Sequence, residues 1–228
     1  MRLDKFLAHA GFGSRKEVKQ LVKDEMVMVN DSLVKKAAMH LDPEKDVVSV
    51  DGIVIPYLGT VYYMLHKPAG YICSHDNGLY PSVLELIEPY QDDLIMVGRL
   101  DVDTEGLLLI TNDGQFSHRI AHGKKAVMKK YYVQLETEFD QRFIAELEAG
   151  ITLEDEPLKP AIVEMIDEQS LYLSIAEGKY HQVKKMMHYC DNAVTYLKRV
   201  QIGDLTLDEA LALGEYRRLR EDEIALFD

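Results

Sequence analysis

Short apolar runs separated by polar turns recur along this chain, and one of them follows a dense polar cluster. Residues 107–110, Leu-Leu-Leu-Ile, have the length of a buried strand, and the Asn-Asp-Gly sequence at 112–114 is a strong turn signal. Residues 93–97 also end in a short apolar run and predict a second core strand. The pattern therefore predicts a polar loop from Arg99 to Gly106 between two strands. Because catalytic groups are often carried on loops that a rigid scaffold positions, this loop is the first candidate for chemistry.

The first 58 residues carry helix and strand signals in close succession. Apolar residues at positions 3, 6, 7 and 10 are spaced for one face of a helix, and the Ser-Arg-Lys-Glu sequence at 14–17 is a capping box that predicts a second helix. Residues 26–29 predict a strand, and residues 47–55, with Asp51-Gly52 at their centre, predict a hairpin. The module carries five basic residues that we expect at its surface: Arg2, Lys5, Arg15, Lys16 and Lys19.

The remaining residues, 59–228, show more strand signals than helix signals, and the connections between them are short. Helices are predicted at residues 82–87, 115–121, 141–148 and 182–190, and strands at residues 61–65, 131–135, 161–165, 171–175 and 194–200. We therefore expect an α+β protein, with a small α/β module at residues 1–58. A larger domain at residues 59–228 is expected to have a mixed, mainly antiparallel sheet with flanking helices.

Charge is distributed unevenly along the chain. The net charge is −13, which by itself argues against a nucleic-acid partner. Residues 1–40, however, hold eight Lys and Arg against five Asp and Glu, and residues 114–135 hold five basic residues and no acid. Residues 136–168 then carry eleven acids against two basic residues. Such segregation is typical either of a protein that steers an anion to one side or of ordinary solvated faces.

Several other classes of protein fit the sequence poorly. The longest apolar runs have four to six residues, far short of the roughly 20 that a membrane helix needs. The N-terminal apolar positions are interrupted by charges, which does not fit a signal peptide. Cys73 and Cys190 stand apart and lack a paired metal-ligand pattern. We therefore expect a cytoplasmic protein with no disulfide, no metal site and no membrane partner.

The polar loop contains a sequence that imitates the start of a calcium site. Asp101, Asp103 and Glu105 are spaced as in a calcium-binding loop, but the twelfth position is Asn112, where a bidentate glutamate is needed. An Asp-x-Asp site for a metal-bound nucleotide is a second alternative, although no glycine-rich phosphate loop accompanies it. Calcium is rejected, and the metal-dependent transferase stays as a remote alternative.

Ordered motifs give the chain a resemblance to known families. The segments RLDKFL, SRKEV and VMVND resemble the S4 RNA-binding domain over about the first 55 residues. The segments MLHKPAGYICS, GRLDVDTEGLLLITNDG, KKYYV, EGKYHQVKKM and IGDLTLDEALALGEYRRL resemble the pseudouridine synthases of the small-subunit ribosomal type. Together these motifs span almost the whole chain, and the form HQVK is most similar to the branch that modifies uridine 516 of 16S rRNA.

The resemblance implies a reaction and three catalytic residues. Asp101 in the GRLD segment matches the family's nucleophile, which attacks either the ribose or the base. Lys184 in HQVK matches the family's basic position, and we expect its ammonium to keep Asp101 charged. Tyr131 matches the tyrosine that stacks on the flipped uracil; its neighbour Tyr132 is the alternative, since adjacent strand residues face opposite sides. No cofactor is implied.

The resemblance also implies an RNA surface around that site. Arg99 is expected to order the loop or to enter the RNA where the base leaves. Lysines and one further arginine are expected to contact phosphates, namely Lys124, Lys125, Lys129, Lys130, Lys179, Lys185, Lys198 and Arg199. His181 and His188 are expected to be polar surface residues. The implied partner is 16S rRNA, free or in an assembling small subunit, bound by a monomer; the alternatives are a 23S rRNA target and a non-catalytic assembly factor.

Overall fold

The computed structural model describes residues 1–76, 78–88, 93–122 and 127–228. Within them the chain forms two compact units, one of Met1–Thr60 with Glu88–Leu94 and one of Val61–Ile87 with Ile95–Asp228. The domain boundary after residue 58 remains a prediction. It assigns Glu88–Leu94 to the second domain, whereas this segment groups with the first unit. No helix in the described ranges is long and apolar enough to cross a membrane.

The first unit is built from short local elements. The capping box is confirmed, because Ser14 Oγ accepts from the Glu17 N–H and the Glu17 carboxylate accepts from the Ser14 N–H. All five basic residues expected at the surface of this unit are exposed. The predicted hairpin is confirmed, and Asp51 and Gly52 both have positive φ, as its two-residue turn requires. The described elements are α1 (Leu3–His9), α2 (Arg15–Lys23), β1 (Val27–Val29), β2 (Ser32–Leu33), β3 (Val48–Val50) and β4 (Ile53–Ile55).

The second unit contains more strands than helices in its described part, as the sequence predicts. Its strands are β5 (Tyr62–Lys67), β6 (Ile95–Val97), β7 (Glu105–Thr111), β8 (Lys129–Leu135), β9 (Thr152–Leu153), β10 (Glu156–Pro157), β11 (Ile162–Met165), β12 (Ser170–Ile175), β13 (Val194–Ile202), β14 (Leu205–Thr206) and β15 (Tyr216–Arg218). Its helices are a 3₁₀ turn at Val83–Leu86, α3 (Gly114–His122), α4 (Arg142–Ala149), α5 (Gln182–Tyr189) and α6 (Glu221–Ala225).

The main sheet of this unit has the strand order β11-β12-β8-β13-β7-β5-β15, with β6 on β7 and β14 on β13. Its pairings are antiparallel except that between β7 and β13, which is parallel. The expected mixed, mainly antiparallel sheet is therefore confirmed. Phe116 and Ile120 of α3 are buried in a core with Leu107 and Leu109 of β7.

Two local features of this unit differ from the prediction. The polar loop is shorter than expected, because Glu105 and Gly106 already belong to β7 and lie opposite Lys198 and Arg199 of β13. The hairpin of β9 and β10 had no sequence signal that we recognised as a strand. Its turn residues Glu154 and Asp155 both have positive φ, which a hairpin of this kind needs.

Candidate active site

The loop before β7 is held by backbone hydrogen bonds at several points. The Thr104 N–H donates to the Asp101 carbonyl at 3.1 Å, and the Gly70 N–H donates to the Val102 carbonyl at 2.7 Å. Leu100, on the N-terminal side of Asp101, is buried. The loop thus has little freedom to change the direction of the Asp101 side chain.

A buried lysine adds a second set of bonds to the same loop. Lys67 is the last residue of β5, and its side chain is fully buried. Its ammonium donates to the carbonyl oxygens of Asp101 at 3.0 Å and Thr104 at 2.8 Å, and to Pro68 at 3.0 Å. Burial, the largest influence, lowers the pKa of Lys67, and nearby acidic groups offset that effect only in part. Sequence reasoning missed this tether.

We expect Lys67→Met to destabilise the protein by about 3 kcal/mol, because the loop carbonyls would be left buried without a donor. The geometry of the pocket should also change, since the loop that carries Asp101 would lose its tether. Urea denaturation of the variant measures the loss of stability. The half-buried Lys198, replaced by Met, serves as the control and should change stability by less than about 1 kcal/mol. Equal midpoints for Lys67→Met and the wild type would contradict this tether.

Asp101 opens into a pocket whose other walls come from the sheet and from α5. Tyr131 of β8, Leu197 of β13 and Val183 of α5 line this pocket, which we call the Asp101 pocket. The Asp101 side chain is 28% exposed, so a bound molecule can reach it. Thr104 lines the same pocket, and its buried Oγ1 has no hydrogen-bond partner within the described part of the chain.

The two adjacent tyrosines of β8 face opposite sides of the sheet. Tyr131 is buried at the wall of the Asp101 pocket, beside Arg199 in the register of β13. Tyr132 packs instead against the rings of Tyr172 at 5.9 Å and Tyr196 at 6.1 Å. Tyr131 is therefore the one of the pair that a ligand in the pocket can touch.

Two nitrogen groups lie against the Asp101 carboxylate. The Lys184 ammonium is 3.4 Å from one oxygen, and His181 Nε2 is 3.5 Å from the other. Lys184 lies closer to Asp103, at 2.6 Å, so it is shared between two carboxylates rather than given to Asp101 alone. Burial, the largest single influence, raises the pKa of Asp103, but the hydrogen bond and charge of Lys184 together with weaker influences outweigh it and hold the pKa below its usual range. A molecule that reaches Asp101 thus meets a carboxylate with a cation beside it.

His181 lies at the surface and also contacts Asp101. The sequence predicts a polar surface residue, and the side chain is 38% exposed, but His181 directly precedes α5 and has a φ of 52°. This left-handed backbone turns its ring toward Asp101 and brings it into a stack with the ring of Tyr180, 3.8 Å away. An isolated histidine next to a helix gives no signal of such a turn, because left-handed conformations are uncommon outside glycine.

The basic residues expected around the site have different environments. Arg99 is exposed and lines the Asp101 pocket. The expectation that Arg199 contacts phosphates is wrong, because it is 3% exposed and its Nε donates to the Leu107 carbonyl. Lys130 pairs with Glu164 and Lys185 with Glu154, each within 2.8 Å, and Lys129 is half-buried. Lys179 pairs with Glu156 at 3.0 Å, and Lys124 and Lys125 lie outside the described residues.

The described ranges contain no side-chain cluster of the kind that binds a metal ion. No group of three or more His, Cys, Asp or Glu side chains there could hold a metal ion. Asp101 and Asp103, the pair that suggested a metal-bound nucleotide, share Lys184 instead. The site as arranged offers a partly exposed carboxylate, an aromatic wall and a neighbouring ammonium group.

Comparison with known proteins identifies relatives for both units. A family model of RNA pseudouridylate synthases matches residues 61–189, and a model of the S4 domain matches residues 1–48. The ribosomal small subunit pseudouridine synthase A of Vibrio cholerae is 45% identical over 228 residues, which is 99% of this chain and 98% of that protein. An uncharacterised RNA pseudouridine synthase of Bacillus subtilis is 43% identical and covers 100% of this chain and 98% of its own. A crystal structure of a pseudouridylate synthase aligns with 100% of both chains at 38% identity, with a TM-score of 0.71.

Proposed function

This chain belongs to the RNA pseudouridylate synthase family and carries an S4 domain, and we propose that it converts one uridine of small-subunit rRNA to pseudouridine. The target we propose is uridine 516 of 16S rRNA. The observation that carries the proposal is the Asp101 pocket, where one carboxylate meets Lys184, His181 and the ring of Tyr131. The predicted membership of this family is confirmed by the family model and by relatives that match the whole chain.

The reaction needs little beyond a well-placed carboxylate. The bond between N1 of uracil and C1′ of ribose breaks, the ring turns, and a bond between C5 and C1′ forms. C5 loses a proton and N1 ends with one, so no electrons are gained or lost overall. We propose that Asp101 forms a covalent bond to the ribose or to the base, which holds one fragment while the other reorients.

The neighbours of Asp101 have distinct roles in this proposal. Lys184 favours the ionised form of the carboxylate, because an opposite charge within about 4–6 Å stabilises it. Tyr131 stacks on the uracil ring and receives the C5 proton. His181 is a second nitrogen donor that orients the carboxylate from its other side. Because enzymes that act on a base remove it from the stack, Arg99 at the pocket rim is suited to enter the vacated place.

The first unit supplies affinity for RNA rather than chemistry. Its exposed basic residues are suited to phosphate contacts, which provide most of the salt-dependent binding energy in such complexes. The named small-subunit relatives support a 16S rather than a 23S rRNA target. We propose that the enzyme acts as a cytoplasmic monomer on free rRNA or on an assembling small subunit.

Cells that lack this protein should lose pseudouridine at position 516 of 16S rRNA and retain the pseudouridines of 23S rRNA. The reason is that the RNA-binding surface of one enzyme recognises each target uridine. No second enzyme is expected to modify uridine 516 when this protein is missing. Pseudouridine mapping of both rRNAs from deleted and parental cells measures the loss. Complementation with the wild-type gene should restore it, whereas loss at a 23S position with 16S unchanged would refute the proposed target.

A further inference from the structure

A second pocket lies next to the Asp101 pocket and has no role in the proposed chemistry. It has a cavity volume of about 240 Å³, below the roughly 300 Å³ at which the range for drug-sized ligands begins, and it opens to solvent. Its walls are Leu153 and Leu158 from the β9–β10 region and Tyr180 from the segment before α5. Lys179 and Gln182 line both pockets, so the two share a wall. We call the second one the Tyr180 pocket.

Tyr180 presents an aromatic ring to this pocket. The residue is 71% exposed, although aromatic rings are usually covered in a folded protein. Its ring stacks on His181 with 19° between the two planes, and His181 in turn contacts Asp101. The stack therefore holds the Tyr180 ring at a defined angle one side chain away from the proposed nucleophile.

The charges around the Tyr180 pocket favour a neutral occupant. Lys185 pairs with Glu154 at 2.7 Å, and Lys179 pairs with Glu156 at 3.0 Å. These four side chains therefore add no net charge, and a phosphate would have to break one pair to find a cation. The Tyr180 ring stacks on His181, and the Lys185 ammonium lies over the ring, 5.8 Å from its centroid. A flat, uncharged ring that takes the place of this ammonium can stack on Tyr180, and its amino groups can donate to the glutamate carboxylates.

We propose that the Tyr180 pocket binds the nucleobase next to the target uridine in the RNA chain. This inference rests on the proposed function, since it places the neighbouring nucleotide while the target occupies the Asp101 pocket. Enzymes that flip a base commonly select their target through contacts with the flanking nucleotides. The Tyr180 pocket is thus a determinant of sequence context, distinct from the groups that carry out the isomerisation.

The test uses 16S rRNA transcripts that span uridine 516, with the fluorescent base 2-aminopurine at the nucleotide on its 5′ side or its 3′ side. At one of these positions, wild-type protein should change the fluorescence on binding, and Tyr180→Phe should retain the change because it keeps the ring. Tyr180→Leu should lose it and raise KM about tenfold, the lower range of one base–aromatic stack, with kcat within about twofold. Tyr189→Leu removes a partly exposed tyrosine on α5 that lines neither pocket, and serves as the control.

The outcomes separate this inference from the proposed function. Equal fluorescence changes and equal KM for Tyr180→Leu and the wild type, with pseudouridine formed by both, would overturn the base site. If Tyr180 has only a structural role, Tyr180→Leu should lower the melting temperature and kcat but keep the position-dependent fluorescence change. That result would also overturn the base site. A wild-type protein that shows the Tyr180-dependent signal but forms no pseudouridine would retain the base site and refute the proposed function.

Discussion

Replacing Asp101 by Asn should lower the rate of pseudouridine formation by at least about 10³-fold, in line with the effect of removing a covalent nucleophile in other enzymes. The amide has nearly the shape of the carboxylate but no charge with which to attack. Because the side chain is partly exposed and its close charged or polar neighbours in the described part of the chain are His181 and Lys184, folding should hardly change. Single-turnover assays on an rRNA transcript measure the rate, and filter binding measures the affinity, which should stay within about threefold.

Asp103→Asn is the matched control for this prediction. It makes the same chemical change two residues away on the same loop, and Asp103 shares Lys184 with Asp101. Asp103 is more exposed, at 64% of its side chain, so the loss of its charge should change the rate by about tenfold at most. If Asp103→Asn proved as inactive as Asp101→Asn, or if Asp101→Asn kept substantial turnover, the assignment of Asp101 as nucleophile would fail.

A second large effect is expected from Gly106→Ala, which should cost about 4 kcal/mol of folding stability, a large part of the total for an ordinary domain. A Cβ atom at this position would lie 2.2 Å from the Arg199 carbonyl oxygen and 2.7 Å from the Arg199 nitrogen. Both are backbone atoms of β13, in the parallel pairing that brings the loop of Asp101 to the sheet. The φ of 107° at Gly106 adds backbone strain for any other residue. Chemical denaturation measures the loss.

Gly98→Ala separates the strain from the clash. Gly98 also has a positive φ, of 76°, but apart from its chain neighbours no atom of the described residues lies within 4 Å of the Cβ that alanine would add. Strain alone should therefore cost about 1 kcal/mol in this variant. If Gly106→Ala proved as stable as Gly98→Ala, β7 and β13 could move apart without loss of folding stability, and the close packing of these two strands would be contradicted.

Much of the fold could be predicted because its signals are local. The capping box at residues 14–17, the Asp-Gly turn at 51–52 and the apolar run at 107–110 each specify an element through contacts among near neighbours. Strand alternation likewise predicts that Tyr131 and Tyr132 face opposite sides, as they do. The hairpin of β9 and β10 was missed because its strands have two residues each and carry little apolar signal.

The sequence by itself determined the order of the longer elements and, through the family resemblance, the candidate nucleophile, because motifs and turn signals need only neighbouring residues. Only the tertiary structure decided the partners of that nucleophile. Lys67 reaches the Asp101 carbonyl across 34 positions, and Lys184 is divided between Asp101 and Asp103 across more than 80. His181 turns inward through a left-handed backbone. Such contacts depend on which strands pair and on which oxygen atoms lie within reach of a buried charge. Neither can be deduced from the spacing of residues along the chain.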